Sequence, residues 1–105
     1  MMILVNTETI EGKKIAHLGL VKGSCIRAKH LGHDIANGIK ALFGGELTSY
    51  SEMINEARAV ATKRMVENAN ELGADAVVNI RYSSTAVKAG SAEVMVYGTA
   101  VKFLK

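Results

Sequence analysis

Eight residues near the middle of the chain, Glu71-Leu72-Gly73-Ala74-Asp75-Ala76-Val77-Val78, compress a helix end, a glycine stop and a strand start into one joint. Such a joint constrains architecture and carries no chemistry of its own. Upstream of it, Ser49 with Glu52 three positions on reads as a capping box, so a helix is predicted from Ser49 to Leu72, with Gly73 in the left-handed position beyond its end. At about 1.5 Å per residue that helix is roughly 35 Å long. Its wheel puts Tyr50, Ile54, Ala57, Ala61, Met65, Ala69 and Leu72 on one stripe and Glu52, Glu56, Lys63 and Glu67 opposite. Ala57 and Ala61, one turn apart, admit a neighbouring backbone. Arg58 at the edge of the stripe is expected to need a partner if buried, with Asp34 and Glu46 the candidates.

Downstream of the joint, two strands are predicted, about Ala76 to Ser84 and Ala92 to Leu104, forming a hairpin through Lys88-Ala89-Gly90-Ser91. The last strand carries Met95, Tyr97, Val101 and Phe103 on one face and Val94, Val96, Ala100 and Leu104 on the other, so both faces seek cover. The N-terminal third also reads as β-structure. Leu4 and Val5 lead through a turn at Glu11-Gly12 into a long stretch from Lys14 to about Ala28, with Ile15 and Val21 on one face and Ala16, Leu18, Leu20 and Ile26 on the other. A first helix is predicted from Asp34, its N-cap, with Ile35, Ile39, Leu42 and Phe43 on one face and Gly44-Gly45 ending it.

The expected fold is therefore a single α+β domain over residues 1–105 in the order β-β-α-α-β-β, an antiparallel sheet of three to four strands with two helices packed on one face. Two helices blanket one side of such a sheet. Its other apolar side calls for a further copy of the chain, and an oligomeric ring is the expectation. Hydrophobic residues at 49% suffice for a core, and with aromatics at 5% and no Trp that core is built from Ala, Val, Ile, Leu and Met.

The formal charge of +3 is spread along the chain, and Lys13-Lys14 and Lys63-Arg64 are isolated pairs rather than a basic stripe interleaved with stacking aromatics. No nucleic-acid partner is expected. With Cys25 alone an intrachain disulfide is excluded, no apolar run approaches the roughly 20 residues that cross a bilayer, and no secretory leader pattern is read, so a cytoplasmic location is expected.

Gly44-Gly45-Glu46, Tyr50, Ala57-Arg58-x-x-Ala61, Gly73-Ala74-Asp75-Ala76-Val77-Val78 and Gly98-Thr99-Ala100-Val101, in order and register over almost the whole chain, together resemble the YbjQ-like proteins. The resemblance implies a small α+β protomer in a homopentameric ring and a heavy-metal-binding label, with no established reaction to transfer. One departure stands out: members of that family tend to carry Arg just before the aspartate at position 34, where this chain has His33.

Chemistry is sparse. No Gly-x-Ser-x-Gly elbow, Walker loop, dinucleotide fingerprint or His-Glu-x-x-His helix occurs, so the reading leans against an enzyme. Cys25, His30 and His33 are the candidate metal ligands, because thiolate and imidazole suit soft or borderline divalent ions. The bland alternatives are a buried small hydrophobe for Cys25 and surface or capping roles for the histidines. His17 would stand on the same face as Cys25 but about 27 Å away, too far to share an ion. The leading expectation is a non-enzymatic binding ring that takes a metal or small ligand at or between subunits. The alternatives are a small enzyme built at the interface, with Cys25 as nucleophile and a neighbour's histidine as base, and a purely structural ring.

Overall fold

The computed structural model of the chain describes residues 2–28, 45–88 and 90–105, with 45–49 and 87–88 described for the backbone alone. Its elements are β1 (Ile3–Leu4), β2 (Lys14–Ala28), α1 (Gly45–Glu71), β3 (Ala76–Lys88) and β4 (Ser91–Leu104). They form one sheet in the order β1-β3-β4-β2, with β4 paired antiparallel to both β2 and β3, and β1 parallel to β3.

Two expectations are corrected here. The sheet is mixed rather than antiparallel, and the described residues carry one helix rather than two; the helix expected from Asp34 to Phe43 lies outside them. A two-residue strand such as β1 is too short to display alternation, so nothing local fixes its direction. Its partner is chosen by the segment after it. Val5 and Ile10 pack against Ala76, Val78 and Val101 on the sheet face away from α1, together with Ile15 and Phe103. The backbone is tied down along the start of β3 by Val5 N–H to Val77 O (3.0 Å), Ile80 N–H to Val5 O (3.2 Å) and Asn79 N–H to Thr7 O (2.9 Å). Part of the apolar surplus that called for a second copy is thus covered by the chain's own N-terminal segment.

Two bulges decide which side chains meet. In β2 the register slips between His17 and Gly19, so Leu18 is the extra residue and every side chain beyond it changes face. Ile15 and His17 stand on the face away from α1, whereas Val21, Gly23 and Cys25 face the helix, reversing the expectation that Ile15 and Val21 share a side. In β3 a similar slip between Val78 and Arg81 places Asn79 at φ 56°. Gly98 lies opposite that bulge, where a β-carbon would stand 2.9 Å from Val78 O, a close backbone approach that only glycine allows.

α1 packs its buried residues Met53, Ala57, Ala61, Met65 and Ala69 onto β2 and β4. This run repeats every four residues, so it drifts about 40° around the helix at each step, as a helix must to follow a twisted sheet. Met53 replaces Tyr50 at the start of the expected stripe, and Leu72 at its other end is exposed. The helix begins four residues before Ser49, which therefore lies within it rather than capping it.

The helix end is a Schellman motif. Ala74 N–H bonds Ala69 O at 3.1 Å and Gly73 N–H bonds Asn70 O at 3.0 Å, with Gly73 at φ 76°. Asp75 then stitches the joint to β4: its own N–H donates to Val101 O (2.8 Å), its Oδ2 accepts from Phe103 N–H (2.8 Å), and its Oδ1 lies 3.7 Å from Lys102 Nζ. The ion pair is half-exposed and contributes little, whereas the bond to the Phe103 amide is partly buried. Asp75→Ala is accordingly expected to cost about 1–3 kcal/mol through the unpaired Phe103 N–H. Urea unfolding of Asp75→Ala beside Lys102→Ala checks this; equal losses in the two variants would shift the weight to the ion pair.

β2 is an edge strand of 15 residues, and α1 blocks its centre. Asn68 Oδ1 accepts from Lys22 N–H at 3.2 Å, and Arg64 Nη1 donates to Ser24 O at 2.6 Å. Side chains from the helix thereby occupy backbone groups that would otherwise recruit another strand.

Candidate functional site

Cys25 faces α1 from β2 at 5% exposure, in one cluster with Val21, Ala57 and Ala61. Its thiol lies 3.9 Å from Ile26 O. This is the environment of a small buried hydrophobe with a weak donor. His30 and His33 lie outside the described residues, and no group of three or more His, Cys, Asp or Glu side chains that could hold a metal ion occurs among those described. Cys25 stands three positions before the end of β2, so the chain that carries both histidines continues directly from its strand. The β2 bulge places His17 on the opposite sheet face from Cys25, which removes it from any shared site more firmly than distance does.

A second feature was not anticipated from the sequence. Where β3 runs past the N-terminal half of α1, a shallow cleft of about 70 Å³ opens, lined by Ile54 and Arg58 of the helix, Tyr82, Ser83 and Ser84 of β3, and Val94 of β4. Tyr82 pairs with Val96 and Ser84 with Val94, both buried on the helix side, so the phenol and the Ser84 hydroxyl stand toward α1. Ser83 pairs with Met95 and contributes backbone. The Tyr82 hydroxyl lies 2.9 Å from Thr62 Oγ1, which itself donates to Arg58 O at 2.8 Å.

Arg58 is exposed, and its Nη1 donates to Asn55 Oδ1 at 3.0 Å. It is therefore not the buried group that would have required an ion pair: the guanidinium stands at the rim of the cleft, and Ala57, one position earlier, carries the helix contact with the sheet. Of the two expected partners, Asp34 and the Glu46 side chain lie outside the described residues. The available signal was the step from Ala57 to Arg58 itself, a buried small residue followed by a cation one helical position off the packing stripe.

The face of the sheet away from α1 carries Leu20, Lys22, Ser24 and Ile26 of β2 opposite Thr99, Tyr97, Met95 and Glu93 of β4. Leu20 is 70% and Ile26 61% exposed, and Met95 and Tyr97 are also open. No helix among the described residues is long and apolar enough to cross a membrane.

Comparison with known proteins places these features in a family. The YbjQ family, described as "Putative heavy-metal-binding", matches residues 2–104. A UPF0145 protein of Alkaliphilus metalliredigens is 64% identical over 103 residues, covering 98% of this chain and 100% of the relative. A UPF0145 protein of the archaeon Methanosarcina acetivorans is 55% identical over 104 residues, with 98% of each chain covered. A crystal structure of a protein of unknown function from Pediococcus pentosaceus, of the DUF74 family, superposes with a TM-score of 0.65 over 98% of both chains at 12% identity, which bears on the fold alone. With the joint at Gly73, the glycine opposite the β3 bulge and a match over nearly its whole length, the chain is a member of the YbjQ (UPF0145) family.

Proposed function

We propose that the protein is a non-enzymatic, homo-oligomeric binding protein, pentameric as its family resemblance implies, whose cargo is a soft or borderline divalent metal ion held by Cys25 with His30 and His33. The observation that carries the assembly is the set of large apolar side chains left open on the outer face of the sheet. The N-terminal segment covers one end of that face, around Ala76, Val78 and Val101, while Leu20, Ile26, Met95 and Tyr97 remain open at the other. The protomer supports the same reading: its Cα radius of gyration is 17.4 Å and its longest dimension 58 Å. A compact domain of about this length has a radius of gyration near 13 Å. A thin, long sheet with one half-bare face gains from burial against another copy, at about 25 cal/mol per Å² of apolar surface removed from water.

For the cargo, the support is the family description together with the donor chemistry. A thiol and two imidazoles within nine residues match the preferences of zinc-class ions, and the thiol sits at the end of a rigid strand.

Native mass spectrometry of protein purified without added metal or chelator reads subunit number and bound mass together. A pentamer with a reproducible metal mass is expected, and Cys25→Ala is expected to lose that mass while keeping the subunit count. A monomer would overturn the assembly, and full metal retention in Cys25→Ala would remove the thiol from the ligand set.

A further inference from the structure

We infer that the cleft between α1 and β3 is a binding site for a small tetrahedral oxyanion, a phosphate or sulfate group, with Arg58 as its charged anchor and Tyr82 and Ser84 as hydroxyl donors. The site goes beyond the metal and assembly reading and uses none of its residues. Three observations meet there. Among the described residues the lining is one cation, two hydroxyl-bearing side chains turned toward the helix, backbone of Ser83 and two aliphatic walls, with no carboxylate. A guanidinium offers five N–H donors, and the described residues hold Arg58 through one nitrogen, to the neutral amide oxygen of Asn55. Among the described residues no carboxylate neutralises the cation, and the Asn55 amide aims it without adding a charge.

The donors are also positioned in advance. Arg58 is fixed on the rigid middle of a 27-residue helix, and Tyr82 is clamped across the cleft by its 2.9 Å contact with Thr62 on the next turn of that helix. Thr62 spends its one hydroxyl proton on Arg58 O, so Tyr82 is the donor in the bond that the two hydroxyls share. An anion in the cleft would take that phenol proton in exchange for the bond to Thr62. Donors approaching from the helix on one side and from the strand on the other surround a three-dimensional group better than a planar carboxylate, which a guanidinium alone satisfies by its paired N–H fork. Ile54 and Val94 form apolar walls suited to the carbon skeleton of a phosphorylated or sulfated small molecule.

The test uses the full chain after removal of bound metal by chelator, so that its outcome is independent of Cys25. Inorganic phosphate is titrated at constant ionic strength while backbone amide resonances are followed, with sulfate and acetate in parallel. Saturable shifts confined to residues 54–58 and 82–84 are expected. Affinity should fall at least tenfold in Arg58→Gln and a few-fold in Tyr82→Phe, with part of the loss recovered in Arg58→Lys, which keeps the charge without the fork. Thermal unfolding, expected unchanged in the Arg58 variants because that residue is exposed, separates lost binding from lost fold. Sulfate binding alongside phosphate supports the tetrahedral assignment. Acetate binding as tight as phosphate, shifts that do not saturate, or equal affinity in Arg58→Gln would each overturn the site.

Discussion

Replacing Gly23 by alanine is expected to lower stability by about 3 kcal/mol or more, an unusually large effect for the addition of one methyl group. Gly23 is buried in β2 beneath the middle of α1, and a β-carbon there would overlap Ala61 O and stand 2.5 Å from Met65 N. Both are helix backbone, so no side chain can rotate away; the helix itself would have to lift from the strand. That lift would loosen the contacts that Ala57, Ala61 and Met65 make with the sheet. Urea unfolding of Gly23→Ala beside Ser24→Ala, the next residue on the open face, checks this, with Ser24→Ala expected within about 0.5 kcal/mol of the parent. A midpoint for Gly23→Ala as high as that of Ser24→Ala would mean that α1 does not rest on β2 at this point.

The joint at Gly73 was legible because every cue in it is local: a helix period, a glycine for the left-handed turn, and an apolar run after it. The structure realises it as a Schellman motif followed directly by β3. The hairpin of β3 and β4 and the two-faced character of β4 were legible for the same reason. What was not legible depends on distant pairing. The direction of β1 is set by the segment from Val5 to Ile10 crossing beneath the sheet, and its two residues announce nothing about it. The bulge at Leu18 is equally silent in a strand with apolar residues on both faces, yet it exchanges the faces of every residue from Gly19 onward. A period-two reading therefore joined Ile15 to Val21 and His17 to Cys25, and both pairings fall on opposite sides of the sheet.

The candidate site divides along the same line. The burial of Cys25 follows from its type and its strand, and the bland reading of it as a small core residue describes its surroundings. For Arg58 the sequence leaves burial open, because helix spacing places it at the edge of the stripe without saying which way the stripe drifts. Tyr82 and Ser84 were passed over, since their face depends on the bulge at Asn79, where β3 gains one residue relative to β4. The cleft is a product of tertiary geometry, a helix diverging from the far end of a long hairpin, and no motif encodes it.

Truncating Met65 to alanine is expected to cost about 2–5 kcal/mol, because a fully buried side chain leaves both lost burial and a cavity. Met65 is among the largest fully buried side chains and sits between Val21, Ala61 and Ala69, residues too small or too constrained to fill the space it would leave. Met65→Leu, which nearly conserves volume, is expected within about 1.5 kcal/mol of the parent. The pair with Gly23 gives a sharper test than either alone. If the harm in Gly23→Ala came from side-chain crowding, the room made by Met65→Ala would relieve it. The overlap is with Ala61 O and Met65 N, atoms that a side-chain truncation leaves in place. The double variant is therefore expected to be at least as unstable as the worse single variant, with no rescue in a double-mutant cycle. Recovery of stability in the double variant would show that α1 is held on the sheet by its side chains, with space beneath its backbone.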